Sequence, residues 1–204
     1  MTETKPVRRK QEDRSAETQA RLLEATIDVL NRAGYAAATT TVVIETSGVT
    51  RGGMLHHYPS KVDLMIATAE HCLVKMREAR RGRPAGAAGQ AALLEIERSR
   101  YGVALTELMM GSRSDPELAT RFRPVARAIL ASQSRAAGYI AEQAGIDDVR
   151  EVEVMVWMNM AAIRGMTLMQ LAGVDDGFAE RATEIMVENR AAFLARLRKA
   201  PRET

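Results

Sequence analysis

The residues best suited to chemistry lie in one stretch, GVTRGGMLHHYPSK, from Gly48 to Lys61. Gly52 and Gly53 follow Arg51 where the pattern predicts the first turn of a helix capped by Thr50. Each glycine costs such a helix roughly 1 kcal/mol relative to alanine. What the missing side chains provide is clearance: a bare backbone can approach the floor of a DNA major groove, where the N-terminal residues of a recognition helix meet base edges. Arg51 can reach a guanine O6/N7 pair, Thr50 and His56 can meet phosphate or base, and Lys61 can take a phosphate. Thr39 and Thr41 open the preceding helix, where hydroxyls serve equally well as caps or as phosphate ligands. The candidate DNA-facing set is thus Thr39, Thr41, Thr50, Arg51, Gly52, Gly53, Leu55, His56, His57 and Lys61, with His57 and Tyr58 also suited to packing. The competing readings are a loosely formed glycine loop and a histidine metal site. Adjacent histidines on a helix point about 100° apart, and neither has an acidic or cysteine partner at i+3 or i+4, so no metal is expected.

The surrounding chain must position that stretch. Its 204 residues are 46% apolar but only 4% aromatic, and rich in Ala, Leu, Met, Arg and Glu, which predicts an all-α protein. A net charge of +3 is too small for wholly electrostatic nucleic-acid binding, so recognition must rest on local placement. Cys72 is the only cysteine, which excludes an intrachain disulfide and a paired-cysteine metal or redox site. No secretory signal is expected at the charged N-terminus, and Asn159, Arg164 and Gln170 interrupt the longest apolar run, so no membrane span is expected and a cytoplasmic location fits best. No Glu-x-x-His pair, glycine-rich phosphate loop or nucleophile beside a base is present, so neither a catalytic role nor a cofactor is expected.

Periodicity and caps predict about nine helices. The first runs from Ser15 to Ala33, ended by Gly34; a second runs from Thr39 through Ser47, with Gly48 as the turn. The third is capped by Thr50 and stopped by Pro59, and a fourth runs from Ser60, with Asp63 three residues on in a near capping box, to about Arg80. Three short helices with a tight glycine turn between the last two make a helix-turn-helix, with the motif at 39–58. Residues 1–14 read as a disordered basic arm, 15–80 as a DNA-binding domain, and 81–204 as a helical body behind the linker RGRPAGAAGQ. In the body, one helix is expected over 91–111, one from Asp115-Pro116, one from Pro124 to Gly145, one from Asp147 or Asp148 to Gly173, and a last from Asp175 or Asp176 to about Lys199.

Residues 34–64, GYAAATTTVVIETSGVTRGGMLHHYPSKVDL, resemble the DNA-binding domain of the TetR-type family of bacterial transcriptional regulators. Gly34, Tyr35, Thr39, Gly48, Val49, Thr50, Gly52, His57, Tyr58, Ser60, Lys61 and Leu64 fall in register with its pattern, and with the first helix the likeness covers residues 16–76. The resemblance implies an all-helical homodimer whose N-terminal head binds a near-palindromic operator and whose body binds a small molecule that releases DNA. Leu55 departs from it, standing where the family usually has a tyrosine that meets a phosphate; Ile44 and Val62 depart as well. Control by a protein partner, or activation rather than repression, are the alternative outputs.

In the body, Met158, Ala161, Ala162, Gly165, Met169 and Ala172 form a small-residue stripe suited to a dimer seam. Phe178, Ala182, Ile185, Met186, Phe193 and Leu197 of the last helix are expected to complete it, so the homodimer would form through the last two helices. Tyr101, Met109, Phe122, Trp157, Met160, Arg164 and Thr167 are the candidate lining for an apolar or amphipathic effector, with ordinary core as the competing reading. Arg164, a charge within an apolar helix, requires either an acidic side chain from a neighbouring helix or an acidic ligand.

Overall fold

The computed structural model describes residues 5–82, 87–174 and 177–199, and every regular element among them is a helix. These are α1 (Lys5–Ala37), α2 (Thr40–Ser47), α3 (Arg51–His57), α4 (Lys61–Arg80), α5 (Ala87–Arg98), α6 (Arg100–Gly111), α7 (Pro116–Ala144), α8 (Val149–Leu171) and α9 (Phe178–Lys199). The all-α class and the number of helices agree with expectation, but several boundaries differ. Helix α1 begins at Lys5 rather than Ser15, because the intervening Lys, Arg, Gln and Glu are good helix formers that need no core to propagate an existing helix. Residues 1–4 of the expected arm, 83–86 of the expected linker, and Asp175 and Asp176 lie outside the described residues. The linker is shorter than expected, since α5 is already helical at Ala87.

Two further corrections cancel in the count. The helix expected over 91–111 breaks at Ser99, whose hydroxyl donates to the Ile96 carbonyl at 2.6 Å and competes with the helical ladder. Pro124 starts no helix, for it sits inside α7 on the exposed side. Leu118, Phe122 and Val125 are buried, so the apolar stripe runs unbroken past a proline whose missing N–H falls on the solvent side.

The chain folds as two compact units, the first comprising Met1–Lys75 and Arg100–Val125 and the second Met76–Ser99 and Ala126–Thr204. The sequence-based division at residue 80 is one cut, whereas each unit is assembled from two stretches. In the first unit, Leu22, Ile27, Val29 and Leu30 of α1, Val43 of α2, Met54 of α3, Leu64 and Met65 of α4, and Leu105 and Leu108 of α6 are buried. In the second unit, Met160 and Ile163 of α8 pack with Leu94 of α5, and Val152 and Met155 of α8 pack with Ala137 and Ala141 of α7.

Candidate nucleic-acid interface

Helices α2 and α3 are each capped locally. The Thr39 hydroxyl accepts from the Val42 amide at 3.3 Å and the Thr50 hydroxyl from the Gly53 amide at 3.1 Å. Because each cap uses an oxygen lone pair, both hydroxyl protons remain free to donate outward. Between the helices Gly48 takes a left-handed φ of 64°, and Arg21 of α1 donates to the Ser47 carbonyl at 2.7 Å, tying the turn to α1. Val43, Val49 and Met54 are buried, which fixes the rotation of α3. Its outer face then carries Arg51, Gly52, Leu55 and His56, all exposed and spaced one helical turn apart in pairs. Among the described residues, no carboxylate pairs with Arg51.

The two glycines differ. A Cβ placed on Gly52 meets nothing within 4 Å, so nothing inside the molecule requires glycine there. A Cβ on Gly53 would lie 3.1 Å from Val49 Cγ1 and 3.2 Å from Thr50 Oγ1, so Gly53 serves the turn and its cap. Gly53 thus has a cause within the molecule and Gly52 has none.

Lys61 and His57 are engaged inward. The Lys61 ammonium donates to the Tyr35 carbonyl at 3.3 Å and stands 4.1 Å from the Tyr35 ring centroid; burial holds its pKa below the ordinary lysine value, partly offset by Asp115. His57 is half-buried, with Nδ1 3.3 Å from Gln19 Nε2, and its ring is 5.0 Å from that of His56 in an edge-on pair. Thr41 is exposed.

A bracing layer lies beneath the motif, and its long-range pairings were not anticipated from the sequence. Gly34 breaks α1 with φ 74°, and the Tyr35 amide that follows donates to Glu107 at 3.2 Å. The Tyr35 hydroxyl donates to Asp115, and its ring occupies the space beside Gly111, where a Cβ would come within 2.4 Å. Arg100 pairs with both Glu24 and Asp28 of α1, and Arg121 with Asp63 of α4 at 2.7 Å. Ser60 and Asp63 form a reciprocal capping box, with the Asp63 carboxylate accepting from the Ser60 amide at 3.0 Å and the Ser60 hydroxyl from the Asp63 amide at 3.1 Å. Those bonds, with Arg121, hold the Asp63 pKa below the carboxylate range. Asp115 carried a visible local signal, the following proline, and does cap α7 through the Leu118 amide at 3.0 Å. Its second partner, eighty residues away, had none.

Of the candidate effector-lining residues, Tyr101, Met109 and Phe122 belong to the first unit and Trp157, Met160, Arg164 and Thr167 to the second. Tyr101 stacks edge-on against His71 at 6.3 Å, Met109 is half-buried and Phe122 is buried. Along α8, Met160 and Thr167 are buried, and Arg164 donates through Nε to Glu97 of α5 at 3.4 Å, so the charge has found an acidic side chain. Glu97 is 4% exposed, and burial raises its pKa against the opposing pull of Arg164 and Arg80. Trp157 is 59% exposed and shares the outward stripe of Met158 and Met169 rather than the inner side. On α9, Met186, Phe193 and Leu197 are partly buried against the clusters of their own unit, and Phe178 and Ile185 are exposed.

Among the described residues, no group of three histidine, cysteine or acidic side chains could hold a metal ion, and no helix is long and apolar enough to cross a membrane. A capped, glycine-turned helix pair with an unpaired arginine and bare backbone at its outer tip defines a helix-turn-helix protein. Residues 22–68 match the family described as bacterial regulatory proteins, tetR family. The chain is 35% identical over 118 residues to an HTH-type transcriptional regulator of Mycobacterium tuberculosis, covering 54% of this chain and 60% of that one. It is 40% identical over 78 residues to the HTH-type transcriptional regulator CymR of Pseudomonas putida, 38% of each chain. The chain thus spans less than two thirds of the length of the curated relatives it matches. A transcriptional regulator from Rhodococcus sp. RHA1 has the same fold, with a TM-score of 0.70 at 20% identity over 90% of this chain and 99% of that one. Residues 22–68 therefore match the TetR family, the chain has the all-α fold of TetR-type regulators, and the relatives are described as transcriptional regulators.

Proposed function

We propose that this protein is a DNA-binding transcriptional regulator that acts as a homodimeric repressor in the cytoplasm, released from a near-palindromic operator by a small apolar or amphipathic effector. The observation that carries the reading is the outer face of α3, where Arg51 is exposed without a carboxylate partner and Gly52 faces open space. Arg51 is the base reader, Thr39, Thr41 and Thr50 are phosphate donors, and His56 is a base or phosphate contact. The dimer reading is supported by α8, where Trp157 and Met158 are each 59% exposed and Gly165 has open space above it. The effector reading comes from the likeness of residues 22–68 to the TetR family. Selection of bound duplexes from a random library, followed by titration at several salt concentrations, tests the function. The expected product is a near-palindrome with half-sites about 34–36 Å apart or a multiple of that. Binding that is sequence-independent at every salt concentration would overturn it.

A further inference from the structure

We infer that Leu55 reads the 5-methyl group of a thymine in each operator half-site. The inference rests on the DNA-binding reading above and assigns a specificity role to a residue that departs from the family pattern. Leu55 is 42% exposed, although its chain neighbour Met54 is 1% exposed, so the short α3 buries one large apolar side chain and leaves the other outside. Leu55 lies three residues after Gly52 and four after Arg51, which puts all three on one face. A leucine has no group that can hydrogen-bond to a phosphate or to the polar edge of a base. The one apolar feature in the floor of the major groove is the C5-methyl of thymine, which makes Leu55 a contact for that group alone. Gly52 supplies the room, since a Cβ there would meet nothing within 4 Å and the glycine leaves an open step one turn ahead of the leucine. Arg51 and Leu55 together then specify a guanine and a thymine close to one another in each half-site, one by hydrogen bonds and the other by shape.

The test replaces thymine by uracil, one position at a time, in the operator obtained by selection. Uracil keeps every hydrogen-bonding group and removes only the methyl. With the wild-type protein, one position per half-site should weaken binding about four-fold, the worth of one buried methyl-sized group. With Leu55→Ala, thymine and uracil at that position should bind alike. Leu55→Gln, of similar length, supplies the same comparison if the alanine variant does not fold. The inference is overturned if no thymine in either half-site is sensitive to methyl loss, or if the sensitivity survives unchanged when Leu55 is replaced. A selection that returns no preferred duplex removes the DNA-binding reading itself. An operator without a methyl-sensitive position removes only the role of Leu55.

Discussion

The Tyr35 hydroxyl donates a hydrogen bond to Asp115 Oδ2 at 2.5 Å, joining the end of α1 to the residue that caps α7. The same tyrosine gives its amide to Glu107, its carbonyl to Lys61 and its ring to the space over Gly111. Tyr35→Phe keeps the ring and deletes one charge-assisted bond, so it should cost about 1.5–3 kcal/mol in denaturant unfolding.

The pH dependence of that loss follows from the two partners. Asp115 is held below the carboxylate range by the Leu118 amide and then by Tyr35, so its contribution is present above about pH 4 and declines as pH falls further. The Tyr35 phenol is pushed upward by burial and then by the Asp115 hydrogen bond, so its contribution is present below about pH 10 and is lost as pH rises beyond that. Stability measured across pH should therefore show a plateau with an alkaline limb that Tyr35→Phe flattens. An identical alkaline limb in the variant would contradict the assignment.

Gly52→Ala and Gly53→Ala should behave differently. The first places a methyl in open space and should raise unfolding stability by about 0.5 kcal/mol while weakening operator binding. The second presses on Val49 and Thr50 and should show no gain in stability. Thermal melts and anisotropy titrations on both proteins separate the cases, and a Gly52→Ala protein that binds DNA undiminished would end the clearance reading.

Arg51→Ala should leave the melting temperature unchanged, because the side chain is exposed with no carboxylate partner among the described residues. Discrimination between the selected operator and a scrambled duplex should fall by about 1–3 kcal/mol. Retention of full preference would reassign the reader to another side chain.

Arg164→Ala removes the hydrogen-bonded partner of the buried Glu97 carboxylate, leaving it only the pull of Arg80, and should destabilise the protein by about 1–3 kcal/mol. Burial raises the Glu97 pKa and so opposes a charge there, and adding Glu97→Gln, which removes that charge, to Arg164→Ala should recover much of the loss. A double variant as unstable as the single one would mean that Arg164 acts through packing rather than charge.

Ala161→Glu puts a charge on the outward stripe of α8, beside Trp157 and Met158. Sedimentation should show dimers for the wild type and monomers for the variant, with helical content preserved. Equal dimerisation of both proteins would place the seam elsewhere.

Features decided within a few residues were legible in the sequence. Thr39, Gly48, Thr50, Ser60 with Asp63, and Asp148 each do locally what their types imply. Features decided by distant partners were not. Nothing beside Tyr35 announces Asp115, and nothing beside Pro124 announces that a buried stripe will carry α7 past it. Lys61 shows the same limit at the site itself: its type and position suit a phosphate, but the carbonyl and ring of Tyr35 hold it. Along α9, helical spacing found the apolar face but not its contacts, and Met186, Phe193 and Leu197 are partly buried against their own unit.

The passage of the chain out of the first unit after Lys75 and back into it at Arg100 bears on how this protein can be re-engineered. A chimera that transplants only the leading 80 residues onto a foreign sensor would strip Tyr35 of its acidic anchor and Glu24 of its arginine. A portable first unit must carry the later segment, 100–125, along with it, so swaps should exchange both pieces as a set.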